Sequence, residues 1–154
     1  MKKVKAFICC FAMLCVISAP VSSYAAEFGE AQTTDIEYLG DGITVETTIT
    51  VHSSLLRSST KSATRASTYK DNGTTIATVT LNATFGYDGS SAWVVSASAS
   101  HWVASNWTYE NQSISTTGAT ARVTATLKKW LGSTSTGTAS VNSALTCSAG
   151  GTVS

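Results

Sequence analysis

The chain has 154 residues, of which 12% are charged, 43% are hydrophobic and one is Pro. Beyond position 25, roughly a third of the residues are Ser or Thr, a β-branched and hydroxyl-rich composition that favours strand over helix. The formal net charge of +1 reverses once Lys2, Lys3 and Lys5 are set aside: positions 26–154 hold 7 basic and 9 acidic side chains, a net of −2, which argues against a nucleic-acid or anionic-membrane binder.

The first segment is built as an export signal. Three lysines precede an apolar run from Ala6 to Ile17, and Pro20 is followed by the small-residue site Ser23-Tyr24-Ala25. That order predicts a signal peptide over 1–25 cleaved after Ala25. A dozen apolar residues fall short of the roughly 20 that span a bilayer, so no stable membrane anchor is expected after cleavage, and the protein is expected to be secreted. Cys9, Cys10 and Cys15 leave with the signal, and the remaining Cys147 has no partner for an internal disulfide.

Charge divides the rest. Residues 26–52 form an acidic arm with six acids and no base, 53–70 carry four bases and no acid, and the remaining 84 residues balance at three against three; the organisation reads as the arm, a basic, Ser/Thr-rich linker over 53–66 and a sandwich body over 67–154. Within the arm, Ile43, Val45, Thr47, Ile49 and Val51 alternate with polar residues, which predicts one strand after an Asp41-Gly42 turn. The linker shows no sustained period. After it, Asp71-Asn72-Gly73 is a hairpin signal, because Asn and Gly accept the positive φ of tight turns.

The next apolar face is Ala77, Val79, Leu81, Ala83 and Phe85. Past a turn at Tyr87-Asp88-Gly89-Ser90, the alternation of Trp93, Val95, Ala97 and Ala99 against Ser96, Ser98 and Ser100 places Trp93 in the core. A further strand carries Trp107 and Tyr109. Gly118 precedes Ala119, Ala121, Val123, Ala125 and Leu127, and a Gly/Ser/Thr turn leads to Ala139, Val141, Leu145 and Cys147 on one parity, which places the Cys147 thiol in the core. About seven short antiparallel strands, each with one wet face, predict an all-β, Ig-like β-sandwich.

Four stretches carry a family resemblance: Tyr38-Leu39-Gly40-Asp41-Gly42-Ile43-Thr44-Val45-Glu46-Thr47, the run from Thr68-Tyr69-Lys70 into Ala77-Thr78-Val79-Thr80-Leu81, Phe85-Gly86-Tyr87-Asp88-Gly89, and Leu145-Thr146-Cys147-Ser148. In that order they resemble a family of small exported proteins of Gram-positive bacteria. The resemblance implies a secreted β-sandwich and carries no activity with it. It also implies relatives with a second Cys near the position that Trp93 occupies here, and this chain has no such Cys.

For chemistry, most carboxylates sit in the arm, and Asp71 and Asp88 sit in turns that explain them. No Gly-x-Ser-x-Gly elbow, phosphate loop or His-Glu-x-x-His is present. His52, His101 and Cys147 lie 49 and 46 positions apart, so neither a metal site nor a cofactor is expected. Leu145-Thr146-Cys147 with His101 supplies an alternative, a sortase-like cysteine transpeptidase, but no Arg or Lys follows Cys147.

The expectation is therefore a non-enzymatic binding or interaction module whose partner is a protein or a glycan. Exposed Trp would serve a carbohydrate-binding role, with Trp102 and Trp130 on polar faces as first candidates and Trp107 and Tyr109 beside them. The arm strand 43–51 offers the other route, pairing with a neighbour's sheet edge.

Overall fold

A computed structural model describes residues 28–53 and 59–154. The predicted signal, its cleavage site at Ala25 and the pair Leu55-Leu56 lie outside the described residues. Eight strands make up nearly all of the described chain: β1 (Phe28–Gly40), β2 (Ile43–Ser53), β3 (Thr60–Asp71), β4 (Thr74–Tyr87), β5 (Ala92–Val103), β6 (Trp107–Thr117), β7 (Thr120–Leu131) and β8 (Thr134–Thr146). The first five form one antiparallel sheet in sequence order, and β6-β7-β8 form a second. The expected all-β sandwich is present. Its strands follow one another as two meanders, a simpler connection than the Greek key of immunoglobulin domains.

Turn chemistry sets the hairpins. Asp41 and Gly42 join β1 to β2 with φ of 50° and 77°, and Asn72 and Gly73 join β3 to β4 with 47° and 83°. Two consecutive positive φ values match the right-handed twist of the flanking strands, which is why Asp-Gly and Asn-Gly occupy them. The two turns lie at the same end of the sheet, where the Asn72 amide donates to the Gly42 carbonyl at 2.9 Å.

The core sits between the sheets. Val79, Leu81 and Phe85 of β4 face Val123 and Leu127 of β7 and Val141 and Leu145 of β8, all fully buried. Alternation reads these strands and β2 correctly, because each has one dry and one wet face.

Two expectations are corrected. The linker over 53–66 is strand from Thr60 onward: β3 pairs with β2 and β4 along its length. Its inward positions are Ala63, Arg65, Ser67 and Tyr69, too short or too polar to show an apolar period. The acidic arm likewise holds two strands, with β1 at the edge of the same sheet.

Polar side chains of β3 cross the core to the second sheet. Arg65 donates to the Ala144 carbonyl at 2.9 Å, and the buried Ser67 and Ser143 hydroxyls pair at 3.4 Å. The Tyr69 phenol bonds the Asn142 backbone. Thr146 exchanges two backbone bonds with Ser154. The bonds at Asn142, Ala144 and Thr146 occupy alternate backbone positions along the outer edge of β8, an edge that would otherwise offer them to another chain.

Candidate functional site

The four predicted site residues do not form one site. Trp107 is 5% exposed and packs in the core rather than on an open face. Tyr109 is half-buried, stacked on the His101 ring at 3.9 Å between centroids where β5 passes to β6, and burial raises its phenol pKa. Trp130 lies on the outer face of the three-stranded sheet, half-buried, with its Nε1 donating to Thr108 Oγ1 at 2.9 Å. Thr108 in turn donates to Glu110, which pairs with Lys128 at 2.6 Å. That network holds the Trp130 indole in place, and the hydrogen bond from Lys128 keeps the Glu110 carboxyl below its ordinary pKa. Trp102 alone stands as expected, 55% exposed on β5.

Trp93 is the residue that alternation misplaces. It is 45% exposed, and its neighbour Val95 is 56% exposed. The cause is a β-bulge: Thr84 pairs with Ser96 but Phe85 pairs with Val94, leaving Val95 unpaired. The extra residue inverts the parity of everything before it. Val94 turns inward and Trp93 turns out, over its cross-strand partner Gly86. A Cβ at Gly86 would lie within 2.6 Å of three atoms of the Trp93 ring, so the indole is seated directly on the glycine backbone.

Both tryptophans therefore lie on the outer face of the five-stranded sheet. Between them β5 presents Ser96, Ser98 and Ser100, and β4 presents Thr84, Asn82, Thr80 and Thr78 opposite. Neither β4 nor β5 contains an Asp, Glu, Lys or Arg. Toward β3 the hydroxyls are tied together: Ser62 bonds Thr84 at 3.0 Å, and Thr64 donates to Asn82 at 2.8 Å. A shallow hollow of about 310 Å³ opens among His52, Ser62, Thr64, Asn82, Thr84 and Ser98. Its lining holds no Asp, Glu, Lys or Arg, and its hydroxyl and amide groups are of the kind that hydrogen-bond a hydroxyl-bearing ligand.

Elsewhere, a hollow of about 260 Å³ at the hairpin end is lined by Asp71, Trp107 and Lys129, with Lys129 paired to Asp71 at 2.6 Å. Cys147 is 3% exposed, its thiol donates to the Ser148 carbonyl at 3.4 Å, and burial pushes its pKa up. Among the described residues no group of three or more His, Cys, Asp or Glu could hold a metal, and no helix is long and apolar enough to cross a membrane. The chain matches no family model, no curated protein and no solved structure.

Proposed function

We propose that this protein is an exported, non-enzymatic binding module that meets its target with the outer face of β4 and β5. One observation carries the reading: two exposed indoles flank an uncharged strip of hydroxyl and amide side chains. An aromatic face is a large rigid contact that loses little conformational entropy on binding, and untied hydroxyls give direction to the contact. Export rests on the signal pattern of residues 1–25, and kinship with small secreted proteins of Gram-positive bacteria rests on the motifs from Tyr38 to Ser148.

The buried Cys147, with its raised pKa, supports an inert thiol over a transpeptidase nucleophile, which needs an accessible thiolate. The test is retention of the full chain on a panel of insoluble polysaccharides, envelope fractions and immobilised proteins. Trp102→Ala is expected to lower retention on the true target at least ~10-fold, and Trp130→Ala, on the opposite sheet, to leave it unchanged. Loss with Trp130→Ala alone, or with neither variant, overturns the assignment of the face.

A second reading is favoured by β1, an edge strand with Ile36 and Tyr38 two-thirds exposed. Pairing there would make the protein an interaction partner through strand addition, and a concentration-dependent native mass would show it.

A further inference from the structure

Resting on that reading, we propose that the ligand is a neutral, extended polysaccharide lying along β5 and touching Trp93 and Trp102 at once. Geometry sets the length. Trp93 pairs with Gly86 and Trp102 with Thr78, so the two indoles stand eight β4 residues apart, about 27 Å at the rise of an antiparallel strand. No single sugar ring spans that distance. A ligand that uses both indoles is a chain, and its second contact forms intramolecularly once the first is made.

Chemistry sets the class. With no charged residue on β4 or β5, an anionic or cationic polymer finds no counter-charge along the strip. The hydroxyls of Ser96, Ser98 and Ser100 have no side-chain partner among the described residues, whereas Thr84 and Asn82 on β4 are tied to Ser62 and Thr64 on β3. The untied row is the one that lies between the indoles, where alternating donors and acceptors match the hydroxyls of a sugar chain. A protein partner fits less well, because Ser is depleted in protein interfaces. A lipid surface would call for basic residues on the same face.

The seating of Trp93 adds a further point. Its indole lies against Gly86, leaving the opposite side of the ring to solvent. A ring fixed flat on the sheet is prepared to stack on the apolar face of a pyranose without first being ordered.

The experiment is a titration of the full chain with neutral β-linked gluco-, manno- and N-acetylglucosamine oligosaccharides, from two units to lengths well beyond 27 Å. With wild type, chains long enough to bridge the two indoles are expected to bind at least ~10-fold tighter than two- or three-unit chains. Trp93→Ala and Trp102→Ala should each abolish that gain. Because removing Trp93 uncovers Gly86, Ser98→Arg is the companion variant: it sits on the exposed midpoint, and it should block long chains with no change in the melting temperature.

Equal affinity for short and long chains, or dependence on only one indole, overturns the bridging chain and leaves the binding face standing. The same holds if no neutral glycan binds while Trp102→Ala still removes retention on another target. If no variant changes any binding, the face falls with it.

Discussion

The Trp93–Gly86 contact gives a direct test of the bulge that organises the binding face. Gly86→Ala places a Cβ within 2.6 Å of three indole atoms, a separation that atoms do not tolerate, so the indole must lift. Trp93 is 45% exposed, so a side chain of about 250 Å² keeps roughly 140 Å² covered, worth up to about 3 kcal/mol at 25 cal/mol per Å². Lifting the ring forfeits part of that area, and a cost of about 1–2 kcal/mol is expected.

The assay is urea denaturation with indole fluorescence, with Gly137→Ala as the control. A Cβ there meets only Lys129 Cβ at 3.8 Å, ordinary contact, and should cost no more than about 0.5 kcal/mol. Trp93→Ala should also destabilise, but in its presence Gly86→Ala should lose most of its penalty, a non-additivity of about 1 kcal/mol. Additive costs, or a Gly86→Ala midpoint equal to that of Gly137→Ala, would show that the indole does not rest on the glycine.

Tyr69 and Arg65 give two further predictions. Burial pushes the Tyr69 phenol up to about 12 from its ordinary 10. Below pH 10 both folded and unfolded chains keep the proton. Between 10 and 12 only the unfolded chain releases it, so stability falls as pH rises, by about 1.4 kcal/mol from this group at pH 11. Tyr69→Phe should lose about 1 kcal/mol at pH 9 with the Asn142 bond, yet decline less than wild type between pH 9 and 11; parallel declines refute the assignment. Arg65→Ala removes the donor to the Ala144 carbonyl and the packing of its stem, and should cost about 2 kcal/mol. It also frees the edge of β8, so a concentration-dependent rise in native mass is expected, and an unchanged urea midpoint with a strictly monomeric mass would refute the edge-capping role.

What the sequence shows of this fold follows from where water reaches. β2, β4, β7 and β8 each have one face on the core, and their residues alternate accordingly, so their inward positions are legible down to Cys147. β3 is hidden because its core face is Ala63, Arg65, Ser67 and Tyr69, a mixed apolar and polar set whose polar groups reach toward β8 rather than solvent. β1 is hidden because it is an edge: Ile36 and Tyr38 lie on the outer face, and Asp35 and Glu37, on its other side, are also exposed. β5 was legible as a strand but not in its phase. Val94 and Val95 stand side by side, a break in the period of two, and a glycine lies opposite the neighbouring tryptophan. Read together, that doublet and Gly86 signal a bulge and an outward Trp93.

The two outer faces of the sandwich differ in a way that solubility alone does not explain. On the smaller sheet the outward charged and aromatic side chains are tied into pairs and networks: Arg122 to Asn142, Lys128 to Glu110, Glu110 to Thr108, and Thr108 to Trp130. Such a face is laced with paired charge, and its Trp130 indole is held down by Thr108. On the larger sheet the charge is confined to the far strands, where Glu46 pairs with Lys70 at 2.7 Å. The β4–β5 strip has neither charge nor mutual ties among its β5 hydroxyls, and its two indoles stand half in water. Burying a single unpartnered hydroxyl against a partner that cannot hydrogen-bond costs about 1–3 kcal/mol. A surface of this kind therefore rejects apolar partners and accepts one that returns a hydrogen bond at each step along the strand while laying an apolar face on each ring. It is the pairing of these two demands, spaced along one strand, that singles out β5 among the exposed surfaces of the chain.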